Sequence, residues 1–430
     1  MTIQDLHGLF LKSNGVTTDT RKIDPNTIFF ALKGANFNGN AYASEALKLG
    51  AGYAVVDEEI YQTDQRIILV DDVLKTLQNL AYTHRKFLDI PIIALTGSNG
   101  KTTTKELINV VLSKKFKTVA TSGNLNNHIG VPLTLLSMNS NTELGIVEMG
   151  ANHIGEIAEL AAIAAPDFGY ITNFGKAHLE GFGSVEGVIK GKSELYNYLI
   201  DHKGSLFLNI DDSIQKKQIE ATHTFTFGAT TEADVKLEYP IAEPFAKIRF
   251  NDNTVNSQLI GQYNAVNLAA ATSIGTFFKV ENQEIVSALE SYSPTNNRSQ
   301  IINRNHQTII LDAYNANPTS MEAALQNFAN LDDVNKVAFL GDMFELGETA
   351  TIEHQKIADL TIDLGLQHVV FLGENFQKTS NPNYQFKNLK ILQENGFPKI
   401  IEELLAQKVT ILIKGSRGMR LEGILDMLRH

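Results

Sequence analysis

The chain has 430 residues, which is more than one ordinary core holds, so two or three domains are expected. Apolar residues make up 43% and charged residues 20%, the balance of a soluble globular protein. The formal charge of −11 argues against nucleic acid as the main partner, because that partner requires a basic face, but it leaves room for a local basic pocket.

The chain contains no cysteine, which excludes disulfides and thiolate metal sites. Its first residues lack the basic and apolar regions of a signal peptide, and no run of about 18 apolar residues occurs that could span a membrane. We therefore expect a cytoplasmic protein without a membrane partner. We also expect a monomer.

The first block, to about residue 88, alternates short strands and helices. An apolar stripe at helical spacing predicts a long helix after Asp71 or Asp72, and His84 on that stripe is expected to pack rather than to bind a ligand. The polar cluster from Thr18 to Arg21 fits an ordinary turn as readily as an anion site. Before the long helix we predict strands at 27–32, 53–56 and 66–70 and a helix at 43–49 closed by Gly50.

A phosphate-binding loop is predicted between residues 91 and 106. The apolar run 92–95 indicates a buried strand, and the segment Gly97-Ser-Asn-Gly-Lys-Thr102 then leads into a helical pattern. Backbone N–H groups and a helix N-terminus favour anions, the lysine reaches phosphate, and a threonine hydroxyl can hold magnesium. Leu95 stands where the usual loop has its first glycine, which comes at Gly97 instead. We expect a nucleoside triphosphate site; a tight turn with a solvated lysine is the alternative.

Polar residues follow the predicted strands of the second block. The strand at 144–147 ends in Glu148, which we expect to bind magnesium because a triphosphate site needs an acidic partner. His178 follows the strand at 170–172. The amide-rich loop at 121–132 is as compatible with a substrate-facing role as with bonds to its own backbone. From 204 to 259 short β-type runs predict a small β-rich patch, and Asn264 and Asn267 share one face of the next helix.

A linker at 294–297 precedes a third block of alternating strands and helices, with strands predicted at 308–311, 336–340, 368–372 and 409–413. This pattern is typical of a doubly wound α/β domain that binds ligands at its strand ends. Three polar clusters stand at those ends, beginning at Asp312, Gly341 and Lys414.

Together these segments resemble the Mur ligase family of ATP-dependent amide-bond-forming enzymes, over essentially the whole chain. The family loop Thr-Gly-x-Asn-Gly-Lys-Thr stands at 96–102. Five further segments resemble the members that join D-alanyl-D-alanine to UDP-N-acetylmuramoyl-tripeptide: Gly123-Asn-Leu-Asn-Asn with its continuation to 136, Glu148-Met-Gly-Ala, Asp312-x-Tyr-Asn-Ala-Asn-Pro, Gly341-Asp-Met-x-Glu-Leu-Gly and Lys414-Gly-Ser-Arg.

The resemblance implies a reaction of peptidoglycan precursor synthesis. A carboxylate of the UDP-N-acetylmuramoyl-tripeptide attacks the γ-phosphate of ATP, and the amine of D-alanyl-D-alanine attacks the resulting acyl phosphate. It implies an α/β fold with three domains: a uridine-binding domain at 1–88, a central ATP-binding domain at 89–293 and a Rossmann-like domain at 294–430. The third domain is expected to close on ATP and to bind the incoming dipeptide.

The resemblance also assigns roles to residues, with ATP and two Mg²⁺ ions as cofactors. The expected catalytic residues are Lys101, His178, Lys192 and Arg298, and the expected metal ligands are Thr102, Glu148, His178 and Lys192. The expected ATP-binding residues are Thr96, Gly97, Ser98, Asn99, Gly100, Lys101, Thr102, Thr103, Asn264, Asn267, Arg298, Asp312 and Asn315. The expected substrate-binding residues are Asp19, Thr20, Arg21, Asn126, Asn127, Lys414 and Ser416.

The resemblance further implies that Lys192 is carbamylated by CO₂. A carbamate replaces a cation by an anion, which two divalent ions would favour. Lys190 is close enough in sequence to compete for this assignment. Asn38-Gly-Asn40 stands where the family more often shows Asp-Gly-His, which leaves the uridine contacts open in detail.

Three alternatives stay open at this point. A sister ligase that adds the third peptide residue shares the fold, but usually carries Asp-Asn-Pro-Arg in its third domain, which is absent from this sequence. A folylpolyglutamate synthetase would not be expected to carry the clusters at Tyr314 and Gly341. A nucleotide-dependent switch or scaffold would not need polar clusters on all three domains.

Overall fold

Three mainly parallel sheets follow one another along the chain in the computed structural model, which describes residues 1–218, 223–240 and 244–428. We call the parts built on these sheets the N-terminal, central and C-terminal units. This arrangement confirms the predicted α/β class. Each sheet falls inside one of the predicted domains, whose boundaries stay predictions; residues 429 and 430 of the third lie outside the described residues.

The N-terminal unit is a small parallel sheet covered by helices. Its strands are β1 (Val16–Thr17), β2 (Ile28–Phe30), β3 (Lys33–Gly34), β4 (Phe37–Asn38), β5 (Tyr53–Val56) and β6 (Ile67–Leu69), and its helices are α1 (Ile3–Phe10), α2 (Ala43–Lys48) and α3 (Val73–Leu88). The sheet order is β1-β2-β5-β6. Asp72 begins α3 by accepting a hydrogen bond from the backbone N–H of Lys75 at 2.7 Å. The predicted elements of this unit are confirmed within two residues at each end.

The packed role predicted for His84 is confirmed. Its ring is buried on the inner face of α3. His84 Nε2 donates to the carbonyl of Met138 at 2.9 Å, and His84 Nδ1 accepts from His7 Nε2 at 3.1 Å. Both ring nitrogens are thereby satisfied, as a buried polar group requires.

The central unit carries the largest sheet. Its strands are β7 (Ile92–Thr96), β8 (Thr118–Ala120), β9 (Leu144–Glu148), β10 (Phe168–Ile171), β11 (Ser205–Asn209), β12 (Thr224–Gly228), β13 (Val235–Lys236), β14 (Phe245–Phe250) and β15 (Asn253–Ile260). Its helices are α4 (Lys101–Leu112), α5 (Gly130–Leu136), α6 (Glu156–Ala164), α7 (Leu179–Phe182), α8 (Val185–Asp201), α9 (Ser213–Lys216), α10 (Tyr263–Phe277) and α11 (Asn282–Ser291). The parallel sheet has the order β13-β12-β11-β10-β7-β9-β8, which places β7 between β10 and β9.

The β-rich stretch predicted from 204 to 259 divides into two parts in the structure. Strands β11, β12 and β13 extend the central parallel sheet, and the antiparallel hairpin β14–β15 lies outside it. A short apolar run is equally compatible with a parallel partner distant in sequence and with an antiparallel partner next to it in the chain. The sequence therefore does not show which of the two it will have. Residues 219–222 and 241–243 of this stretch lie outside the described residues.

The C-terminal unit is a second doubly covered sheet, in the order β16-β17-β21-β18-β19-β20. Only the edge pair of its first two strands is antiparallel among the described residues. The strands are β16 (Gln300–Arg304), β17 (Gln307–Asp312), β18 (Lys336–Gly341), β19 (Val369–Leu372), β20 (Tyr384–Phe386) and β21 (Val409–Lys414), and the helices are α12 (Pro318–Asn330), α13 (Ala350–Asp363), α14 (Leu389–Asn395), α15 (Lys399–Leu405) and α16 (Ile424–Met427). All four predicted strands are present; the edge strands β16 and β20 were not predicted.

Candidate active site

The phosphate loop connects β7 to α4 and depends on its two glycines. Gly97 and Gly100 have φ angles of 145° and 78°, in the region that side chains disfavour. A Cβ at Gly97 would lie 1.9 Å from Thr172 Oγ1, on the neighbouring strand end. The glycine therefore stands at position 97, and not at 95, because the loop approaches Thr172 at that point.

The end of the neighbouring strand β10 fixes the loop in place. Ser98 N–H donates to the carbonyl of Asn173 and Asn99 N–H to Asn173 Oδ1, both at 3.0 Å. Lys101 Nζ donates to the carbonyl of Gly97 at 2.7 Å. Burial is the main cause that lowers the pKa of Lys101 below its usual range; the Glu148 charge opposes this shift and the Arg298 charge adds to it.

Glu148 ends β9 as a buried carboxylate with side-chain partners on both oxygens. Thr102 Oγ1 donates to Oε2 and Asn126 Nδ2 donates to Oε1, each at 2.8 Å. Thr121 Oγ1 accepts from the backbone N–H of Glu148 at 2.9 Å. The amide-rich loop therefore contacts the carboxylate through Asn126, and its substrate-facing role stays a prediction.

The neighbouring Asn127 behaves differently. Its Oδ1 accepts from the backbone N–H groups of Ile129 at 3.1 Å and Gly130 at 2.9 Å, within its own loop just before α5. Its side chain nevertheless lines the cavity described below. Asn127 therefore combines the local role with a cavity position.

The structure distinguishes the two competing lysines of α8. Lys190 is exposed, whereas Lys192 is fully buried, with Nζ donating to the carbonyl of Ala151 at 3.1 Å. Phe182 covers it with its ring centre 5.0 Å from Nζ. Burial first, and then the Lys101 charge, lower the pKa of Lys192 well below its usual value. Burial of this kind favours the neutral amine of Lys192.

Asn264 and Asn267 lie on one face of α10, as predicted. Asn267 Nδ2 donates to Asn264 Oδ1 at 2.8 Å, and Asn264 Nδ2 donates to the carbonyl of Ile260 at 2.7 Å. Thr104 Oγ1 of α4 donates to Asn267 Oδ1 at 3.1 Å, which ties this face to the phosphate-loop helix. Both asparagines line the cavity.

The C-terminal unit adds charged side chains to the cavity. Lys414 Nζ forms an ion pair with Asp312 Oδ2, at the ends of the adjacent strands β21 and β17. The guanidinium of Arg298, two residues before β16, lies 3.5 Å from the ring centre of Tyr314. Asn315 borders the same space.

These groups enclose a cavity of about 940 Å³ between the central and C-terminal units. Of the predicted residues, sixteen line it: Ser98, Asn99, Gly100, Lys101, Thr102, Thr103, Asn126, Asn127, Glu148, His178, Asn264, Asn267, Arg298, Asp312, Asn315 and Lys414. Thr96 at the end of β7, Gly97 at the start of the loop and the buried Lys192 do not line it.

Four predicted residues lie elsewhere. Ser416 is buried, where its Oγ accepts from the backbone N–H of Phe344 at 2.9 Å. Asp19, Thr20 and Arg21 lie in the N-terminal unit, where the Arg21 guanidinium pairs with Asp19 at 2.8 Å and lowers the pKa of that carboxyl to about 2. The structure does not bring these three together with the cavity.

Several cavity residues were missed by sequence reasoning because their partners belong to another unit. Asn317 Nδ2 donates to Asn99 Oδ1 at 2.7 Å across the units, and Thr319 Oγ1 accepts from the backbone N–H of Lys176 at 3.2 Å. His178 Nδ1 donates to the Glu345 carboxylate of the C-terminal unit. Asn317 and Glu345 belong to the polar clusters that begin at Asp312 and Gly341 in the sequence. The sequence therefore pointed to these two segments, but it did not show which residues of the central unit they contact. Within the described residues, no group of three or more histidine or acidic side chains is placed to hold a metal ion.

Fold and cavity together define a nucleotide-dependent enzyme whose site lies between two α/β units, with a phosphate loop on one and charged strand ends on the other. The helices of the described residues include none that is long and apolar enough to cross a membrane.

Comparison with known proteins narrows this class. Residues 12–85 match the description "Mur ligase family, catalytic domain", 95–275 the "Mur ligase middle domain" and 297–417 the "Mur ligase, glutamate ligase domain". The UDP-N-acetylmuramoyl-tripeptide–D-alanyl-D-alanine ligase of Bacillus subtilis is 34% identical and aligns over 96% of this chain and 93% of its own. The chain belongs to the Mur ligase family.

Solved structures agree with this assignment. A crystal structure of MurF from Acinetobacter baumannii has a TM-score of 0.87 at 29% identity, covering 100% of this chain and 99% of that one. MurF ligase from Thermotoga maritima in complex with ADP has a TM-score of 0.84 at 26% identity, covering 98% and 97%.

Proposed function

We propose that the protein joins D-alanyl-D-alanine to UDP-N-acetylmuramoyl-tripeptide at the expense of ATP, in peptidoglycan precursor synthesis. The observation that carries the proposal is the cavity between the units, which brings the phosphate loop, Glu148 and the strand ends at Asp312 and Lys414 to one place. The relatives reported above have the name of this ligase, which favours it over the sister ligase and the folylpolyglutamate synthetase.

The residues of the cavity have distinct parts in this reaction. Loop N–H groups, Lys101 and Arg298 bind the phosphates of ATP and stabilise negative charge on the phosphoryl group in transit. Asn264 and Asn267 hold the adenine, and Asp312 holds the ribose. The substrate carboxylate attacks the γ-phosphorus, ADP leaves, and the acyl phosphate forms.

The second half of the reaction takes place in the same cavity. The dipeptide amine attacks the activated carbonyl, loses a proton, and phosphate leaves as the amide forms. Lys414 and the amides of Asn126 and Asn127 are suited to orient the two substrates. A site that excludes water protects the acyl phosphate from hydrolysis.

The donor set at Glu148 fits magnesium. Thr102 Oγ1 and the Glu148 carboxylate are hard oxygen ligands held next to each other at 2.8 Å, at the foot of the phosphate loop. We propose that they hold one Mg²⁺, which would neutralise phosphate charge. His178 is the proposed ligand of a second ion.

A protonated Lys192 next to a divalent ion would cost energy unless the side chain points away, whereas a carbamate would attract the ion. A buried neutral amine accepts CO₂ and forms a carbamate, whereas a protonated one does not. Burial under Phe182 and a single polar acceptor, the carbonyl of Ala151, support this modification.

The uridine end of the substrate is assigned to the N-terminal unit, at Asp19, Thr20 and Arg21. Arg21 is 87% exposed, so its guanidinium is available to a phosphate or carboxylate. ATP and nucleotide-linked precursors are cytoplasmic compounds, and we propose that compartment and a monomeric enzyme.

The test is ADP release with each combination of substrates. We expect ADP to appear only when ATP, UDP-N-acetylmuramoyl-tripeptide and D-alanyl-D-alanine are all present. Release with the dipeptide form of the nucleotide and a diamino acid would favour the sister ligase. Release with neither set would favour a switch or scaffold.

A further inference from the structure

The segment that follows β10 is where the C-terminal unit reaches into the central unit. His178 Nδ1 donates to Glu345 Oε2, and the backbone N–H of Glu180 donates to the carbonyl of Glu345 at 3.3 Å. Both partners of the side-chain bond have left-handed backbones, with φ of 53° at His178 and 61° at Glu345. Such a conformation is costly for a residue with a side chain and persists where the surroundings enforce it.

The chemistry of this contact concerns the tautomer of the imidazole. A neutral histidine carries its proton on one ring nitrogen and a lone pair on the other. A carboxylate has no proton to give, so its partner Nδ1 must be the protonated atom, which leaves the lone pair on Nε2. Within the described residues Nε2 has no hydrogen-bond partner, and His178 lines the cavity.

We infer that Glu345 is a positioning residue of the active site: from the C-terminal unit, its carboxylate holds His178 in the Nδ1–H tautomer and offers Nε2 to the cavity. With its lone pair on Nε2 the ring can bind a cation or accept a proton there. The opposite tautomer can do neither, because its Nε2 carries hydrogen. Docking of the C-terminal unit thus prepares a side chain of the central unit.

The catalytic consequence rests on the proposed function, whereas the tautomer does not. A histidine that acts through Nε2 is commonly oriented by a carboxylate at its other nitrogen, and loss of that carboxylate costs about 10–100-fold in affinity or activity. Removing the acceptor should therefore lower kcat more than it raises the KM for ATP.

The same interface offers a matched control. Glu353 lies 3.8 Å from Lys176, so it also joins the two units as a carboxylate, but it does not contact His178. Glu353→Gln removes one negative charge from the interface and leaves the imidazole partner in place. Glu345 is half exposed, so its replacement should not unfold the chain.

The experiment is nuclear magnetic resonance of the full-length protein with ¹⁵N-labelled histidine. The signals of His178 are assigned by their absence from the spectrum of His178→Gln. The expected result is an Nδ1–H tautomer in wild type, Glu345→Gln and Glu353→Gln, and a shift toward Nε2–H in Glu345→Ala. The glutamine retains an oxygen acceptor, so it should rescue the tautomer. Turnover in Glu345→Ala should fall about 10–100-fold.

An unchanged tautomer in Glu345→Ala overturns the inference, and so does a shift of the same size in Glu353→Gln or in Glu345→Gln. Small-angle scattering on the same samples reports whether the units stay docked. If wild type releases no ADP with the tripeptide nucleotide and D-alanyl-D-alanine, the proposed function fails, but the tautomer result still decides the inference.

Discussion

The two interfaces between the three units differ in chemistry. Between the N-terminal and central units one apolar core is continuous, from Leu6 and Leu80 on one side to Val131 and Leu135 on the other. Between the central and C-terminal units one buried residue of the central unit, Ile260, joins the apolar core of the C-terminal unit among the described residues. Hydrogen bonds such as those of Asn317 to Asn99 and of His178 to Glu345 link the rest of this interface.

The difference indicates which unit is free to move. Burial of apolar side chains is worth about 1.5–3 kcal/mol each and is lost entirely when the surfaces separate. A hydrogen bond contributes only about 1 kcal/mol, because water takes the place of the lost partner when the surfaces separate. We therefore expect the N-terminal unit to stay attached and the C-terminal unit to open and close over ATP.

The largest expected effect lies at the polar interface. Lys101→Ala should lower ADP release by about 10³-fold, because we propose that the lysine stabilises charge on the transferring phosphoryl group. The melting temperature should change little, since Lys101 contributes charge rather than apolar packing. Lys114→Ala, an exposed lysine just beyond α4, is the control and should behave as wild type. Normal turnover in a folded Lys101→Ala variant would remove the lysine from the reaction.

Lys192→Ala should come next, with most of the activity lost. If the side chain is a carbamate, short carboxylic acids in the buffer should restore part of the turnover by filling the vacant anionic position. Lys190→Ala should show neither loss nor rescue, because an exposed lysine contributes little. Full activity in Lys192→Ala, or acid rescue in Lys190→Ala alone, would contradict the assignment.

The apolar interface should respond in stability rather than in turnover. Leu80→Ala should lower the free energy of unfolding by about 2–5 kcal/mol, because it leaves a cavity in a fully buried core. Urea unfolding measures this, and the KM for ATP should stay unchanged. Ile60, which is 76% exposed, serves as the control, and Ile60→Ala should lose almost nothing. A rise in the KM for ATP in Leu80→Ala would contradict this prediction, because it would show that the two interfaces are coupled.

The His7–His84 pair should make the same interface sensitive to acid. Burial lowers the pKa of both rings, so the unfolded chain binds protons more readily than the folded one. The contribution of the pair to the free energy of unfolding is fully present above the unfolded-state pKa of about 6.5. As the pH falls below that value the contribution is lost, by about 1.4 kcal/mol for each unit by which the folded-state pKa lies below the unfolded-state pKa. Urea unfolding across this range should show a flatter profile for His84→Gln than for wild type, and an unaltered one for the exposed His153→Gln.

The smallest effect is expected from a single bond between the units. Asn317→Ser keeps a side-chain oxygen that can cap α12 but removes the amide that donates to Asn99. Loss of this hydrogen bond should weaken the binding free energy of ATP by about 1 kcal/mol, which corresponds to a KM for ATP about five-fold higher. Steady-state kinetics measure it, with kcat unchanged. An equal fall in kcat would mean that the bond acts in the transition state instead.

Much of the fold followed from local patterns. The run at 92–95, the glycines at 97 and 100 and the helical spacing after Lys101 predict a strand, a turn and a helix, because each depends on residues adjacent in sequence. For the same reason Asp72 and Gly50 mark helix ends that the structure reproduces. The edge strands β16 and β20 and the parallel pairing of β11 to β13 escaped prediction, because a short run does not show which strand it will pair with, even where the partner is adjacent, as β17 is to β16.

For the site, the sequence by itself determined which residues are candidates for the chemistry, since Lys101, Glu148 and Asp312 stand at strand ends or at a helix start. Only the tertiary structure decided how their environments differ. Lys190 and Lys192 are two residues apart on one helix, yet one meets water and the other lies under Phe182. Likewise, nothing near His178 in the sequence predicts Glu345 as its partner. Burial and pairing depend on segments that meet only after the chain has folded, and these two properties set the charge and the tautomer of each group.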